Sequence, residues 1–174
     1  MKVIVILDQI QSGLGGKEHA DTPLGGKKIA MGSAATIEKA LAQSDSTIIG
    51  TFYCGTQYYQ NNQALVQQKF AKMAEKMKAD VVVLGPAYDY HDFAQMACEI
   101  GDYIQQNTSL PVLIMLAQEK NADLLAKYRQ HLLIVKMPPK GGSGLAAAID
   151  HLVTGCLQVV QKEDLTTFKS NYCY

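Results

Sequence analysis

One cysteine and one histidine of this sequence lie where a reactive side chain is expected. Cys54 directly follows an apolar run, and a helix amino terminus or His91 beside it would make its thiol a nucleophile. A cysteine at a strand end is equally well explained as a small buried hydrophobic residue. His91 has the chemistry of a general acid or base, whereas a loop histidine is often simply exposed. Cys54 is therefore our one candidate catalytic residue.

Glycine clusters offer a second kind of chemistry, the binding of an anion by backbone amides. One cluster covers residues 13–16 and the other residues 141–144, just before a predicted helix. Neither has the spacing of a dinucleotide fingerprint or the lysine–serine ending of a Walker motif. The clusters favour a phosphate or carboxylate ligand, and we predict no cofactor.

The cysteines and histidines do not predict a metal centre. The four cysteines are Cys54, Cys98, Cys156 and Cys173, and no two are close enough for a CxxC redox pair or a zinc knuckle. We expect four free thiols and no metal site.

The remaining candidates are ligand-binding residues in the loops that follow the predicted strands. In open parallel sheets, ligands bind outside the carboxyl ends of the strands, near a switch in strand order. The residues selected in this way are Asp8, Gly15, Gly16, Gly55, Gly85, Pro86, Ala87, Tyr88, His91, Gly142, Ser143 and Gly144.

Short β-branched runs alternate with longer amphipathic stretches along the chain. The runs cover residues 3–7, 47–53, 81–84, 112–116 and 132–135. Runs that are apolar at nearly every position suit strands covered on both faces. The alternation predicts a three-layer α/β fold with a five-stranded parallel sheet, flavodoxin-like or Rossmann-like.

The chain length favours one domain. We predict a single α/β domain over residues 1–162, with a glycine-rich loop at 9–32 and a polar carboxyl-terminal tail at 163–174. Loops as long as 9–32 are usually functional or disordered.

The charge balance and the hydrophobicity of the chain limit the kinds of partner and the cellular location that we expect. Sixteen basic and sixteen acidic residues give a formal net charge of zero, which argues against nucleic acid and anionic membranes as partners. No apolar run is long enough to span a bilayer, and no signal peptide is visible, so we expect a cytoplasmic protein.

Several short motifs, in matching order and spacing, resemble protein B of the glycine, sarcosine and betaine reductases. They lie at residues 32–41, 49–55, 59–62, 83–88, 110–112, 119–121 and 143–144. That family attacks its activated substrate with a selenocysteine or an equivalent cysteine, and passes the product to a partner protein. The resemblance implies the family's amino-terminal domain alone, without the selenocysteine half, so that only Cys54 and the turn at 85–88 carry over. Thr56 and Gln57 replace the family's acidic residue and asparagine.

Three functions stay open at this stage. The first is a protein B-like reductase component that binds a small amino-acid-like or carboxylate ligand and needs a reductase partner subunit for redox chemistry. The second is a stand-alone ligand-binding or regulatory module without catalysis, and the third is a thiol enzyme that uses Cys54. An incomplete active site and the tyrosines Tyr58, Tyr59, Tyr88 and Tyr90 also predict a homo-oligomer.

Overall fold

A computed structural model covers all 174 residues and contains one six-stranded sheet. The strands are β1 Lys2–Asp8, β2 Gly25–Lys27, β3 Thr47–Cys54, β4 Val81–Ala87, β5 Val112–Ala117 and β6 Leu133–Met137. Their order across the sheet is β2-β3-β1-β4-β5-β6. Five strands pair in parallel, and β2 pairs antiparallel with β3.

Helices cover both faces of the sheet and complete three layers. The helices are α1 Ala34–Leu41, α2 Thr56–Asn61, α3 Gln63–Lys76, α4 His91–Asn107, α5 Ala122–Tyr128, α6 Leu145–Gln161 and α7 Thr166–Tyr172. On one face α1 packs against α6, and on the other α3 packs against α4. None of the helices has the combination of length and apolar character that a membrane span requires.

The central strand β1 is buried in the middle of the sheet and ends where the strand order changes direction. Residues 3–7 are completely buried, because β1 lies between β3 and β4 and is covered by helices on both faces. From β1 the chain crosses first to β3 on one side and then to β4 on the other. The carboxyl end of β1 therefore lies at the switch in strand order, where a crevice opens.

The prediction of five strands was wrong by one, since β2 lies inside the predicted glycine-rich loop. Its sequence is Gly-Gly-Lys, without a β-branched residue or an alternating pattern. It becomes a strand only because its backbone pairs with the free edge of β3.

The carboxyl-terminal residues 163–174 include α7 and pack against β6. Phe168 and Cys173 belong to the hydrophobic core. Cys173 forms an isolated antiparallel bridge with Val135, and the Tyr174 N–H donates to the Ile134 carbonyl at 3.1 Å. This segment therefore covers the outer edge of the sheet.

Candidate functional site

A cleft of about 480 Å³ opens at the carboxyl edge of the sheet. The loops that follow β1, β4, β5 and β6 form its walls. The residues that line it are Asp8, Ile10, Gln11, Lys17, Tyr88, Asp89, Tyr90, Phe93, Lys120, Pro138, Pro139, Lys140, Gly141, Gly142 and Leu145.

Asp8 is the most buried charged group of the cleft. It is the last residue of β1 and only 1% exposed. Its Oδ1 accepts the Gln11 N–H at 2.7 Å. Burial raises the pKa of Asp8 to about 6, and hydrogen bonds from the loop backbone oppose the rise. At neutral pH the carboxylate is mostly ionised and can accept a hydrogen bond from an ammonium group.

Three lysines bring positive charge to the same cleft. Lys17 comes from the loop after β1, and its Nζ lies 4.9 Å from the centroid of the Tyr90 ring. Lys120 follows β5, with its Nζ 3.9 Å from Asp89 Oδ2. Lys140 follows β6 and takes part in none of the ion pairs of the molecule. The lysines favour an anionic group on the ligand.

Tyr90 connects the cleft wall to the start of α2. Its hydroxyl lies 2.7 Å from Thr56 Oγ1, at the start of α2. Its ring lies under the Lys17 ammonium, a cation–π arrangement. Tyr90 therefore fixes the position of Lys17 relative to the β4–α4 loop.

Asn121 joins the loops after β4 and β5. Its Nδ2 donates to the Tyr88 carbonyl at 2.7 Å and to the Ala117 carbonyl at 2.9 Å. The side chain is fully buried, and its Oδ1 has no hydrogen-bond partner. Asn121 thus positions Tyr88 and the neighbouring Lys120, both of which line the cleft.

The structure brings only part of the predicted ligand-binding set into this cleft. Asp8, Tyr88 and Gly142 line it, and Ser143 and Gly144 lead from Gly142 into α6 without lining it. The predicted ligand-binding residues did not include the three lysines, Asp89 or Tyr90, although all five lie in loops that follow strands. Their only signal was their position in loops after strands, which many other residues share.

The other predicted glycines have neighbours outside the cleft lining. Gly15 and Gly16 lie against the side chains of His19 and Glu18 in the first loop. Gly55 packs against the Ala20 backbone, and its N–H donates to the Thr22 carbonyl at 2.7 Å.

The predicted turn at residues 85–87 forms the buried end of β4. Gly85 has a φ of +104°, and a Cβ there would lie 2.5 Å from the Met115 carbonyl oxygen, so the position favours glycine. Pro86, joined to Gly85 by a cis peptide bond, and Ala87 are buried with it.

His91 is not among the residues that line the cleft. Its Nε2 lies 3.0 Å from Asp123 Oδ2, so that it links the first residue of α4 to α5. This contact holds the pKa of Asp123 below its ordinary value.

Cys54 lies beneath the surface. It is 0% exposed, and its Sγ lies 3.6 Å from Met96 Sδ. Burial, followed by the negative charge of Asp8, raises its pKa to about 12. The thiol is therefore neutral at physiological pH. The other three cysteines are also buried, and burial raises the pKa of each.

Comparison with known proteins identifies the family. The family described as glycine/sarcosine/betaine reductase selenoprotein B matches residues 1–174. The chain belongs to this family. The resemblance derived from the short motifs is thereby confirmed.

Curated relatives carry related names at low sequence identity. The chain is 22% identical over 166 residues to the glycine reductase complex component B subunit gamma of Carboxydothermus hydrogenoformans, covering 95% of this chain and 37% of that protein. It is 25% identical over 132 residues to the same component of Peptoclostridium acidaminophilum, covering 74% and 29%. It is also 23% identical over 137 residues to the sarcosine reductase complex component B subunit beta of that organism, covering 78% and 30%.

This member of the selenoprotein B family spans about a third of the length of the curated relatives it matches. No solved structure matches the chain.

Proposed function

We propose that this chain binds a small amino-acid-like or carboxylate ligand in the strand-end cleft, as a component of a glycine reductase-type complex. The observation that carries the proposal is the pairing, in one cleft, of a buried carboxylate with three lysines. In the proposed arrangement, Asp8 accepts a hydrogen bond from the ligand's ammonium group, and the lysines bind its carboxylate.

The proposal assigns the redox chemistry to a partner subunit. No cysteine lines the cleft, and all four thiols of the chain are buried with raised pKa values. The relatives are named as subunits of reductase complexes, which supports a role in such an assembly.

The burial of all four thiols also favours a second candidate function, a stand-alone binding or regulatory module without catalysis. The two candidates differ in one measurable property, which is association with other reductase components encoded in the same genome. Co-elution with such a component in size-exclusion chromatography supports the first, and its absence under conditions where glycine binds supports the second.

We also propose a fold type, an assembly and a cellular location for this chain. Counting only the parallel strands in chain order, the sheet reads 2-1-3-4-5, which supports a flavodoxin-like rather than a Rossmann-like fold. We also propose a homo-oligomer located in the cytoplasm.

Isothermal titration with glycine, acetate and methylammonium tests the ligand proposal. We expect saturable binding of glycine and weaker binding of the other two, since each carries only one of the two charged groups. Lys140→Gln should weaken glycine binding about tenfold, the loss of one charge-assisted contact. Lys72→Gln, on the exposed side of α3, is the matched control and should leave it unchanged.

The same titrations with glycine and acetate are repeated on the Asp8→Asn variant. This substitution should abolish the preference for glycine over acetate, because the amide no longer carries the charge that attracts an ammonium group. Unchanged glycine affinity in both Asp8→Asn and Lys140→Gln would place the ligand elsewhere and overturn the proposal.

A further inference from the structure

A second concave surface lies on the edge of the sheet formed by β2, apart from the cleft. We call it the β2–α3 groove. It has a volume of about 310 Å³ and is lined by Leu24, Gly25, Gly26, Lys27, Lys28, Phe52, Lys69, Phe70, Met73 and Met77. None of these residues lines the cleft of the proposed function.

The groove has a buried aromatic base, and one exposed methionine lies beside it. Phe52 and Phe70 form its base, with ring centroids 5.4 Å apart. Met73 is 42% exposed beside them, and Ile29, directly after β2, is 57% exposed. A Cβ on Gly26 would lie 2.8 Å from Phe52 Cδ1, so the glycine lets the β2 backbone pack directly against this buried ring.

The backbone of β2 is open along one side of the groove. It pairs only with β3, so its outer side has no strand neighbour. Two of its three residues are glycines, which weaken a strand and often mark a site where another backbone approaches closely. An added strand would satisfy the free groups of this edge.

The rim of the groove is positively charged. Lys27, Lys28 and Lys69 are exposed and take part in none of the ion pairs, and no aspartate or glutamate lines the groove. In a molecule with a formal net charge of zero, this is a local concentration of unpaired positive charge. A second copy of the chain paired edge to edge would place these lysines near one another, which is unfavourable.

We propose that the β2–α3 groove docks an extended acidic segment of a different protein. The segment adds a strand to β2, places apolar side chains against the exposed Met73, and directs its carboxylates to the three lysines. The proposal does not depend on the ligand of the cleft.

Two acetylated octapeptides probe the groove, one alternating valine with glutamate and the other alternating valine with lysine. They are titrated into isotopically labelled full-length chain and followed by NMR. We expect the glutamate peptide alone to shift the amide signals of Gly25, Gly26 and Lys27 and the methyl signal of Met73. The shifts should weaken as salt is raised.

Charge variants test the role of the rim. Lys27→Gln combined with Lys69→Gln should weaken binding of the glutamate peptide about tenfold. Lys39→Gln, an exposed position on α1 at the other face of the sheet, is the matched control and should not.

Three results would overturn the proposal. The first is the absence of any shift at millimolar glutamate peptide, which would leave the lysines as guards against edge-to-edge association. The second is equal binding of both peptides. The third is a response of Met73 to decanoate while neither peptide moves the β2 amides, which would make the groove a site for small amphipathic anions.

Discussion

At the scale of single residues, Asp8 is a carboxylate held where its charge is costly. It is buried at the end of the central strand, and burial raises its pKa to about 6 from an ordinary value of 3.8. The folded protein therefore holds this proton more tightly than the unfolded chain does. The contribution of Asp8 to the free energy of unfolding is most favourable at low pH, where the group is protonated in both states. This contribution decreases as pH rises from about 4 to 6.

Asp8→Asn should therefore stabilise the protein at pH 8 and have little effect at pH 4. The amide still accepts the Gln11 N–H but carries no charge to desolvate. A difference of about two pKa units corresponds to about 3 kcal/mol, which is the upper limit of the expected gain. Urea unfolding of both proteins at the two pH values measures it. Equal or lower stability of the variant at pH 8 would contradict a buried ionised Asp8.

Burial also decides the expected reactivity of Cys54. Burial raises the pKa of Cys54 to about 12, so almost all of its thiol is protonated, and therefore unreactive, at pH 7. We expect iodoacetamide to leave Cys54 unmodified in the native protein and to label it after unfolding in urea. Mass spectrometry of the tryptic peptides provides the measurement. Preferential labelling of native Cys54 near neutral pH would restore its role as a candidate nucleophile.

At the scale of elements, the cleft depends on contacts between loops that follow different strands. Asn121 lies at the start of α5 and hydrogen-bonds carbonyls from the β4–α4 loop and from β5. Because one buried amide bonds both carbonyls, separating these loops breaks two hydrogen bonds at once.

Asn121→Ala should lower the free energy of unfolding by about 1–3 kcal/mol, the cost of unsatisfied buried groups. Asn107→Ala is the matched control, because the Asn107 amide bonds the Tyr103 carbonyl at an exposed helix end. We expect the control to change stability by less than about 0.5 kcal/mol. Chemical denaturation compares the two, and similar losses in both would argue against a special role for Asn121.

At the scale of the whole molecule, the carboxyl-terminal segment contributes to the core. Phe168 on α7 is buried, and its ring lies in the space that a side chain at Gly155 of α6 would need. Phe168→Ala should lower the free energy of unfolding by about 3–5 kcal/mol, because it leaves a cavity in the core. Lys169→Ala, exposed on the same helix, is the control. A loss below about 1 kcal/mol would support a loosely attached tail after residue 162.

Association is also a property of the whole molecule. Tyr59, one of the tyrosines behind the oligomer prediction, is buried and donates to Glu99 Oε2 at 2.9 Å, so it is unavailable to another chain. Tyr58, Tyr88 and Tyr90 are only half-buried. We expect multi-angle light scattering at micromolar concentration to give a mass above the 19.0 kDa of one chain. A mass equal to that of one chain across the concentration range would contradict the proposal of a homo-oligomer.

The amino-acid sequence by itself determined the layered α/β fold and the family. The central strands β1, β4 and β5 are recognisable because they are buried on both faces, and such burial requires continuous apolar runs such as residues 3–7. The edge of the sheet that carries the cleft also follows from the sequence, since parallel strands all end at one edge. Asp8 was predicted for this reason.

Only the tertiary structure decided which loop residues meet. Lys17, Lys120 and Lys140 are far apart in the chain and carry no local pattern, and they converge because the strand order places the ends of β1, β5 and β6 around one crevice. β2 likewise depends on a neighbour, because Gly-Gly-Lys has no strand propensity of its own. Cys54 ends β3, and the residue that contacts its sulfur, Met96, lies 42 positions further along the chain on α4. Such long-range contacts cannot be predicted from local residue patterns.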